Sequence, residues 1–321
     1  MSLRLRFLSA GFPHHQIFQH GLSFLLGLCL SVLCLTACSS SAPSQIRIGT
    51  YNVENFDGQE AAKVETLAKI IDRNFDAIGL QEVSAIAAEK LKTALNKSHR
   101  WEFLLGESGN KQRIALFYRS DQIAANKVTE WNRVNVTGTL RSPLVTYLKV
   151  GNGFDFTLVV VHQKGSGDKG ADEIRQQQSD VMRAEVDAYE RNTQSDPDLV
   201  VLGDFNSPTW AAQNRGLKDG PLLFLTRSLE TDATYNCLKR RGMPTDANGR
   251  PRFTNKGTGC AIDHIAVSKG AKGAEAEYLP QSIQILDPVK DLGFASDRDY
   301  FQKVSDHLPV RAIFRSDKND D

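Results

Sequence analysis

Short apolar runs, separated by polar and turn-forming segments, follow one another along the chain from residue 45 onward. The first run, at 45–51, alternates between apolar and polar positions, as a half-buried strand does. Further strand-like runs occur at 76–82, 113–119, 144–150, 156–162, 199–202, 262–267 and 309–314. Helical spacing of apolar positions occurs at 59–73, 86–95 and 172–191. Strands that first alternate with helices and then follow closely on one another predict an α/β fold, in which helices flank two stacked sheets.

The segment 199–208 carries the most specific local pattern. A buried apolar strand leads through Gly203 to Asp204 and Asn206, which two-residue spacing on extended backbone places on one face. Gly203 would allow a close approach to the backbone, and Pro208 ends the strand. A carboxylate beside a carboxamide suits a hard-cation or phosphate site. The alternative is a simple turn, because Asp, Asn, Ser and Pro are all turn formers.

Polar side chains also stand at the ends of the other predicted strands. Together with the segment above, they are Asn52, Glu82, His162, Asp204, Asn206, Asp263, His264, Asp306 and His307. Their recurrence predicts that they converge at one edge of the sheets. Carboxylates and amides from separate strands make an oxygen-rich site of the kind that Mg²⁺ or Mn²⁺ prefers. The sequence has no cysteine cluster, His-Glu-x-x-His helix, Gly-x-Ser-x-Gly elbow or Walker loop, which argues against zinc proteases, serine hydrolases and nucleotide-binding loops.

The N-terminal segment has a different composition. Arg4 and Arg6 precede an apolar stretch at 22–35 that is short for a membrane span and is typical of a secretory signal. It ends in Leu-Thr-Ala-Cys38, which resembles the lipobox of bacterial lipoproteins. This resemblance implies a signal peptide at 1–37, lipidation of Cys38 and an extracytoplasmic protein held at a bacterial membrane, the outer membrane or the cell surface. An uncleaved anchor remains the alternative.

Beyond Cys38 we expect a polar tether at 38–45, a single catalytic domain at 46–315 and a polar tail at 316–321. The 39 basic and 38 acidic residues nearly balance, so no overall positive field attracts nucleic acid. A local basic loop at 239–256, which begins with Lys239 and Arg240, is the expected contact for a polyanion. Cys237 and Cys260 either form a disulfide in an oxidising compartment or remain two unpaired thiols.

The order of these motifs resembles the endonuclease/exonuclease/phosphatase family, which includes deoxyribonuclease I. The resemblance rests on Tyr-Asn52-Val-Glu-Asn, Gln-Glu82-Val, Val-Val-His162-Gln-Lys, Gly-Asp204-Phe-Asn206-Ser, Ile-Asp263-His-Ile and Ser-Asp306-His307-Leu-Pro-Val. It extends from about residue 46 to residue 314, nearly the whole expected mature chain. It implies a four-layer α/β/β/α sandwich of two stacked mixed sheets flanked by helices, and Mg²⁺-assisted hydrolysis of a phosphoester.

The resemblance also implies a role for each matching residue. Glu82 matches the principal metal carboxylate, with Asn52 and Asp306 beside it. Asp204 and Asn206 match the pair that orients the attacking water and the phosphate.

The two histidines of the family's site are matched as well. His307 matches the imidazole that acts as base or transition-state stabiliser, with Asp263 fixing its tautomer. His162 matches the second imidazole, which contacts the phosphate or assists the leaving group.

Three further positions complete the expected site. Arg141, in Arg-Ser-Pro, resembles a phosphate-contacting element of deoxyribonuclease-like members, although a solvated surface charge is the alternative. Gln112 stands where deoxyribonuclease I has a glutamate that partners the histidine equivalent to His162, so we expect Gln112 to hold that ring. His264 alternates to the opposite face of its strand from Asp263, so we expect it to be structural.

The leading functional prediction is therefore a lipid-anchored, Mg²⁺-dependent phosphodiesterase outside the cytoplasm, a nuclease acting on DNA or RNA. The alternative is the same chemistry on another substrate, as a phospholipid or sphingomyelin phosphodiesterase or an inositol-phosphate-type phosphatase. A non-catalytic surface binding protein is the weaker alternative. The expected partners are a phosphoester substrate and, through Cys38, a membrane.

Overall fold

Twelve strands and five α-helices form the part of the chain that the computed structural model describes, residues 43–151, 153–192, 197–220, 222–229, 253–268, 277–287, 289–291 and 293–317. The strands are β1 (Gln45–Phe56), β2 (Ala77–Val83), β3 (Trp101–Leu105), β4 (Arg113–Arg119), β5 (Ile123–Glu130), β6 (Leu144–Val150), β7 (Asp155–His162), β8 (Leu199–Asp204), β9 (Leu223–Phe224), β10 (Asp263–Val267), β11 (Gln284–Ile285) and β12 (Val310–Arg315). The helices are α1 (Ala61–Asn74), α2 (Ala85–Leu95), α3 (Ala171–Glu190), α4 (Arg215–Lys218) and α5 (Asp297–Lys303).

The strands form two six-stranded mixed sheets. The first has the order β11-β12-β1-β2-β4-β3, and the second has the order β5-β6-β7-β8-β10-β9. Each sheet contains one parallel pair, β1 with β2 and β7 with β8, and its other pairs are antiparallel. The predicted α/β sandwich of two stacked mixed sheets with flanking helices is confirmed.

Apolar side chains fill the space between the sheets and beneath the helices. At Gly79 of β2, an added Cβ would lie 2.6 Å from side-chain atoms of Leu202 and Val160, which belong to the other sheet. The sheets therefore meet directly at their centres. On the outer side of the second sheet, Met182 and Val186 of α3 are fully buried in an apolar cluster with residues of β7 and β8.

Two strands of the first sheet are interrupted where they reach the polar residues at their ends. The pairing of β1 with β2 shifts register between Asn52 and Phe56, and that of β2 with β4 shifts between Leu80 and Val83. Such bulges redirect side chains away from the alternating pattern of a regular strand. They lie at the edge of the fold where the candidate site residues were expected.

None of the described helices is both long and apolar enough to cross a lipid bilayer. The predicted signal segment at 22–35 and the lipidation site Cys38 lie outside the described residues, as do Cys237, Lys239 and Arg240.

Candidate active site

Strand register in the second sheet places three of the predicted site residues side by side. Asp204, at the end of β8, pairs in register with His162 of parallel β7 and with Asp263 of antiparallel β10. Residues in register on adjacent strands point to the same face. All three side chains are buried, with relative exposures of 1%, 6% and 0%. An added Cβ at the preceding Gly203 would lie 2.0 Å from the Val161 carbonyl oxygen, which confirms the predicted close approach.

Asn52 joins the two sheets at this edge. Its side-chain amide donates to Glu82 Oε1 over 3.2 Å and to Asp204 Oδ2 over 3.0 Å. Glu82 Oε2 accepts a second hydrogen bond, from the backbone N–H of Asn55 over 2.9 Å. Glu82 itself has φ 65°, a left-handed conformation that a residue with a side chain rarely adopts. The strand end is therefore built to direct this carboxylate into the cleft.

His307 forms a buried pair with Asp263. Its Nδ1 lies 2.8 Å from Asp263 Oδ2, while Tyr300 and Ser305 hold its backbone through hydrogen bonds of 2.6 and 3.0 Å. Burial alone would lower the pKa of His307, but the charge and hydrogen bond of Asp263, with Asp204 adding to them, raise it to about 10. These acidic neighbours therefore favour the imidazolium form of the ring.

Asp204 is the centre of the cluster. Its Oδ1 accepts a 2.8 Å hydrogen bond from the backbone N–H of Asn206, and its Oδ2 lies 3.6 Å from His162 Nε2 and 3.9 Å from His307 Nε2. Burial raises the pKa of Asp204 to about 7, and the charge of Asp263 adds to this rise. A carboxyl group with such a pKa can accept a proton from water near neutral pH.

The structure corrects the expected partner of His162. Gln112 accepts a 2.6 Å hydrogen bond from Arg141 Nη2 and donates its amide to Asn55, so it orients the arginine and not the imidazole. The reason is the bulge in β1, which turns Asn55 toward Gln112. His162 Nδ1 is buried and has no hydrogen-bond partner among the described residues. Burial, followed by the charges of Arg141 and His307, keeps the pKa of His162 well below its ordinary value.

Glu54 and Asn255 are among the site residues that were not predicted from the sequence. Glu54, on the β1 bulge with φ 44°, accepts a 2.9 Å hydrogen bond from the backbone N–H of Asp306. Asn255 places its amide nitrogen 2.9 Å from His307 Nε2 and 3.2 Å from Asp306 Oδ2, and Thr258 fixes its orientation by donating to its oxygen. Glu54 stands two residues after Asn52, a spacing that could have suggested it. Asn255 lies in a loop with no comparable signal.

Twenty residues, from strand ends of both sheets and from the loops beside them, enclose a cleft of about 1060 Å³. Among them are the predicted residues Asn52, Glu82, Arg141, His162, Asp204, Asn206, Asp306 and His307. Asp263 and Gln112 do not line the cleft themselves. Asp263 bonds to His307, and Gln112 accepts a hydrogen bond from Arg141.

The donors of the cleft fit a divalent cation on the side of Glu54, Glu82 and Asp306. Burial and the charges of Asp306 and Glu82 raise the pKa of Glu54. The three carboxylates therefore repel one another, and a bound cation would relieve this repulsion. Ligand atoms of Asp204, Asp263 and His307 also lie within 4.8 Å of one another. Both ring nitrogens of His307 already have partners, however, Asp263 at Nδ1 and the Asn255 amide at Nε2, so the carboxylate side is the better fit. A bound Mg²⁺ there would supply Lewis-acid stabilisation of anionic oxygen.

The protein groups alone define a complementary set of functions. Asp204 can orient and deprotonate a water, and Asn206 can hold an adjacent oxygen. A protonated His307 ring can stabilise negative charge as it develops on a reacting group, and the Arg141 guanidinium can bind an anionic oxygen of the substrate. His162, neutral at physiological pH, can only donate or accept a hydrogen bond.

The two remaining predictions concern structural residues. His264 is fully buried, with its ring nitrogens 2.8 Å from Thr226 Oγ1 and 2.9 Å from the Ser207 carbonyl, so its structural assignment is confirmed. Cys260, on the cleft wall, is disulfide-bonded, while its expected partner Cys237 is outside the described residues.

Comparison with known proteins agrees with this geometry. A structure of an endonuclease/exonuclease/phosphatase family protein from Bacteroides thetaiotaomicron is 18% identical, covering 86% of this chain and 97% of its own, with a TM-score of 0.57. The mannosyl-6-phosphatase of the same organism is 18% identical over 83% of this chain and 98% of its own, with a TM-score of 0.55. D. rerio TDP2 complexed with a single-strand DNA product is 16% identical over 85% of this chain and 100% of its own, with a TM-score of 0.58.

At these identities the structures establish the fold alone. A comparison with curated protein sequences finds no significant match. The model of the Endonuclease/Exonuclease/phosphatase family matches residues 49–307, which include every predicted metal and catalytic position. The chain therefore belongs to the endonuclease/exonuclease/phosphatase family, whose members are hydrolases that act on phosphoesters.

Proposed function

We propose that the chain is a Mg²⁺-dependent phosphodiesterase that cleaves DNA or RNA outside the cytoplasm, tethered to a bacterial membrane through Cys38. The observation that carries the chemistry is the buried contact between Asp204 and the His307–Asp263 pair beside the Glu82 carboxylate. This arrangement places a water-activating carboxyl group next to an imidazole whose positively charged form is stabilised by Asp263. Hydrolysis of an anionic ester requires both.

Two features support a polymeric substrate. The cleft is large and open, and Arg141 lies on its wall as a cation for the phosphate backbone, together with Lys164, whose ammonium pairs with Asp168. The basic segment at 239–256, in which Asn255 lies, contributes additional positively charged residues. Neutralisation of backbone phosphates releases counterions, so we expect cleavage to weaken steeply as salt rises.

A phosphomonoesterase acting on a sugar phosphate is the second candidate. It is favoured by the likeness to the Bacteroides mannosyl-6-phosphatase, whose TM-score is close to that of the DNA-bound structure. A lipid phosphodiesterase of the same fold is the remaining enzymatic alternative. The membrane anchor that we propose would place such an enzyme next to its substrate.

A substrate panel distinguishes these functions. Purified protein would be tested with Mg²⁺ on single-stranded DNA, RNA, sphingomyelin, inositol phosphates and mannose 6-phosphate. His307→Ala should abolish the true activity, whereas His99→Ala provides a matched control, because His99 pairs with Asp72 and does not line the cleft. Hydrolysis of lipid or phosphomonoester without nucleic-acid cleavage would refute the nuclease assignment. Activity that survives His307→Ala would refute the site itself.

The anchor and the metal have separate tests. Cys38→Ala should move the protein from the membrane fraction to the soluble fraction, and labelled lipid should be incorporated only by the wild-type protein. Mg²⁺ should raise the melting temperature of the wild-type protein, since a ligand that binds only the native state stabilises it. Glu82→Gln should remove that rise. A rise that is equal in both proteins would contradict the proposed metal position.

A further inference from the structure

Trp210 stands on a fixed turn at the cleft wall, four residues after Asn206. The turn Pro208–Ala211 is closed by a 3.0 Å hydrogen bond from the Ala211 N–H to the Pro208 carbonyl. Asn214, which is fully buried, donates its side-chain amide to the carbonyls of Ser207 and Pro208 over 3.2 and 2.9 Å. The turn therefore presents the indole from a rigid support.

The neighbouring wall, Lys164–Ser166, is equally well supported. Buried residues of α3 hold its first residue, because Gln178 accepts from the Lys164 N–H and Arg175 donates to the Lys164 carbonyl, both over 2.8 Å. Asn206 connects the two walls by donating to the Gln163 carbonyl over 3.1 Å. The space beside Asn206 is thus lined by an aromatic ring, a lysine, a serine and exposed backbone.

The indole of Trp210 leaves a buried N–H without a partner in the described part of the chain, which a purely apolar side chain would not. Trp210 Nε1 is shielded from solvent and has no hydrogen-bond partner among the residues that the structure describes. An unpaired buried donor is unfavourable, and phenylalanine would cover the same wall without it. The indole has a larger aromatic face than a phenyl ring, and large aromatic faces stack well on planar rings.

We propose that Trp210 and the Lys164–Ser166 segment form a subsite that stacks the base of the nucleotide next to the scissile phosphate. This inference rests on the proposed nuclease function and specifies how its substrate is held. A base suits the lining better than an acyl chain does, because the wall beside the indole offers a hydroxyl, backbone groups and the Lys164 ammonium in its ion pair with Asp168. Every base has a planar face, so this subsite favours nucleic acid over a bare phosphodiester without reading sequence.

The test compares two single-stranded DNA oligonucleotides of equal length, one with normal bases and one in which the residues are abasic. Trp210→Ala should lower kcat/KM on the normal oligonucleotide by about 5- to 150-fold, the range that corresponds to loss of one stacked base. On the abasic oligonucleotide the same variant should stay within about twofold of the wild type. Trp210→Phe, which keeps a smaller aromatic face, should lose part of the base-dependent activity, less than Trp210→Ala loses, and should melt at a higher temperature than the wild type.

A binding measurement does not depend on the folding of Trp210→Ala. In a His307→Ala background, the normal oligonucleotide should quench tryptophan emission, and further replacement by Trp210→Phe should remove that quenching although Trp101 and Trp131 remain. Equal loss of activity on both oligonucleotides, or unchanged quenching, would overturn the subsite while leaving the nuclease function intact. Wild-type protein that cleaves neither oligonucleotide would overturn the proposed function, and the subsite with it.

Discussion

Replacement of Asp263 by asparagine tests whether the charge of this residue keeps His307 protonated. The substitution conserves the shape of a fully buried side chain but removes the negative charge 2.8 Å from the imidazole. In the wild-type protein the pKa of His307 rises from the ordinary 6.5 to about 10. At about 1.4 kcal/mol for each tenfold change, this rise corresponds to at most about 5 kcal/mol of preferential stabilisation of the charged ring. Asp204 supplies part of that stabilisation and would remain.

The sign of the pH effect follows from the raised pKa. Between pH 6.5 and 10 the native protein holds a proton on His307 that the unfolded chain has released, so the stabilisation is complete below pH 6.5 and is lost as the pH rises through 10. Urea unfolding at pH 6, 8 and 10 should therefore show declining stability in the wild-type protein. In Asp263→Asn the stability at pH 6 should be lower and the decline between pH 8 and 10 should be smaller.

Catalytic activity should also fall in Asp263→Asn, because His307 would lose its positive charge. If the His307 imidazolium stabilises the transition state, kcat/KM at pH 8 should drop by about 10²- to 10⁴-fold in Asp263→Asn. Asp72→Asn is the matched control, because Asp72 also lies 2.7 Å from a histidine nitrogen, that of His99, away from the cleft. NMR titration of the ring protons checks the pKa directly. A wild-type His307 that titrates near pH 6.5, or an Asp263→Asn enzyme of normal activity, would refute the argument.

Three further outcomes follow from particular contacts. Gly203→Ala should lower the free energy of unfolding in urea by at least about 2–3 kcal/mol, because the added Cβ would meet the Val161 carbonyl. Gly167→Ala is the control: Gly167 also has a positive φ but has open space around it, so the cost should be only about 1 kcal/mol. Gln112→Ala should raise KM more than it lowers kcat, because it releases Arg141, and Gln112→Glu should not restore a partner to His162. Asn255→Ala should lower kcat with little change in KM, because Asn255 contacts His307 Nε2 and Asp306. Steady-state kinetics that show a raised KM with an unchanged kcat would indicate that Asn255 binds substrate instead.

The sequence predicted the central strands well because their burial leaves a simple pattern. The runs at 113–119 and 144–150 coincide with β4 and β6, whose apolar residues are enclosed by the core. The edge strand β5, Ile123–Glu130, was not predicted, since its apolar residues do not alternate regularly with polar ones. The two-residue strands β9 and β11 are too short to produce any period.

Prediction of the site succeeded where a residue stands at the end of a regular strand and failed where the backbone is irregular. Asp204 and Asp263 lie at the same edge, as the strand-end pattern predicted, because their strands keep their register. The contact of Gln112 depends on the β1 bulge, and alternation rules do not apply across a bulge. Asn255 reaches His307 through a bridge between segments more than fifty residues apart, which local sequence cannot reveal.

Backbone strain is concentrated where the candidate chemistry is. Six non-glycine residues of the described chain have positive φ, and four of them line the cleft: Glu54, Asn55, Glu82 and Asn206. Glycine would relieve the strain at each position but would remove a carboxylate or amide oxygen. The buried charges of Asp204 and Asp263 add a second unfavourable contribution at the same edge. Strained conformations persist only where the surrounding structure holds them, here by hydrogen bonds such as those from the Asn55 N–H to Glu82 and from the Asn206 N–H to Asp204. The fold thus gives up stability at this edge to keep its oxygen atoms in fixed positions, which is the arrangement that a preorganised catalytic site requires.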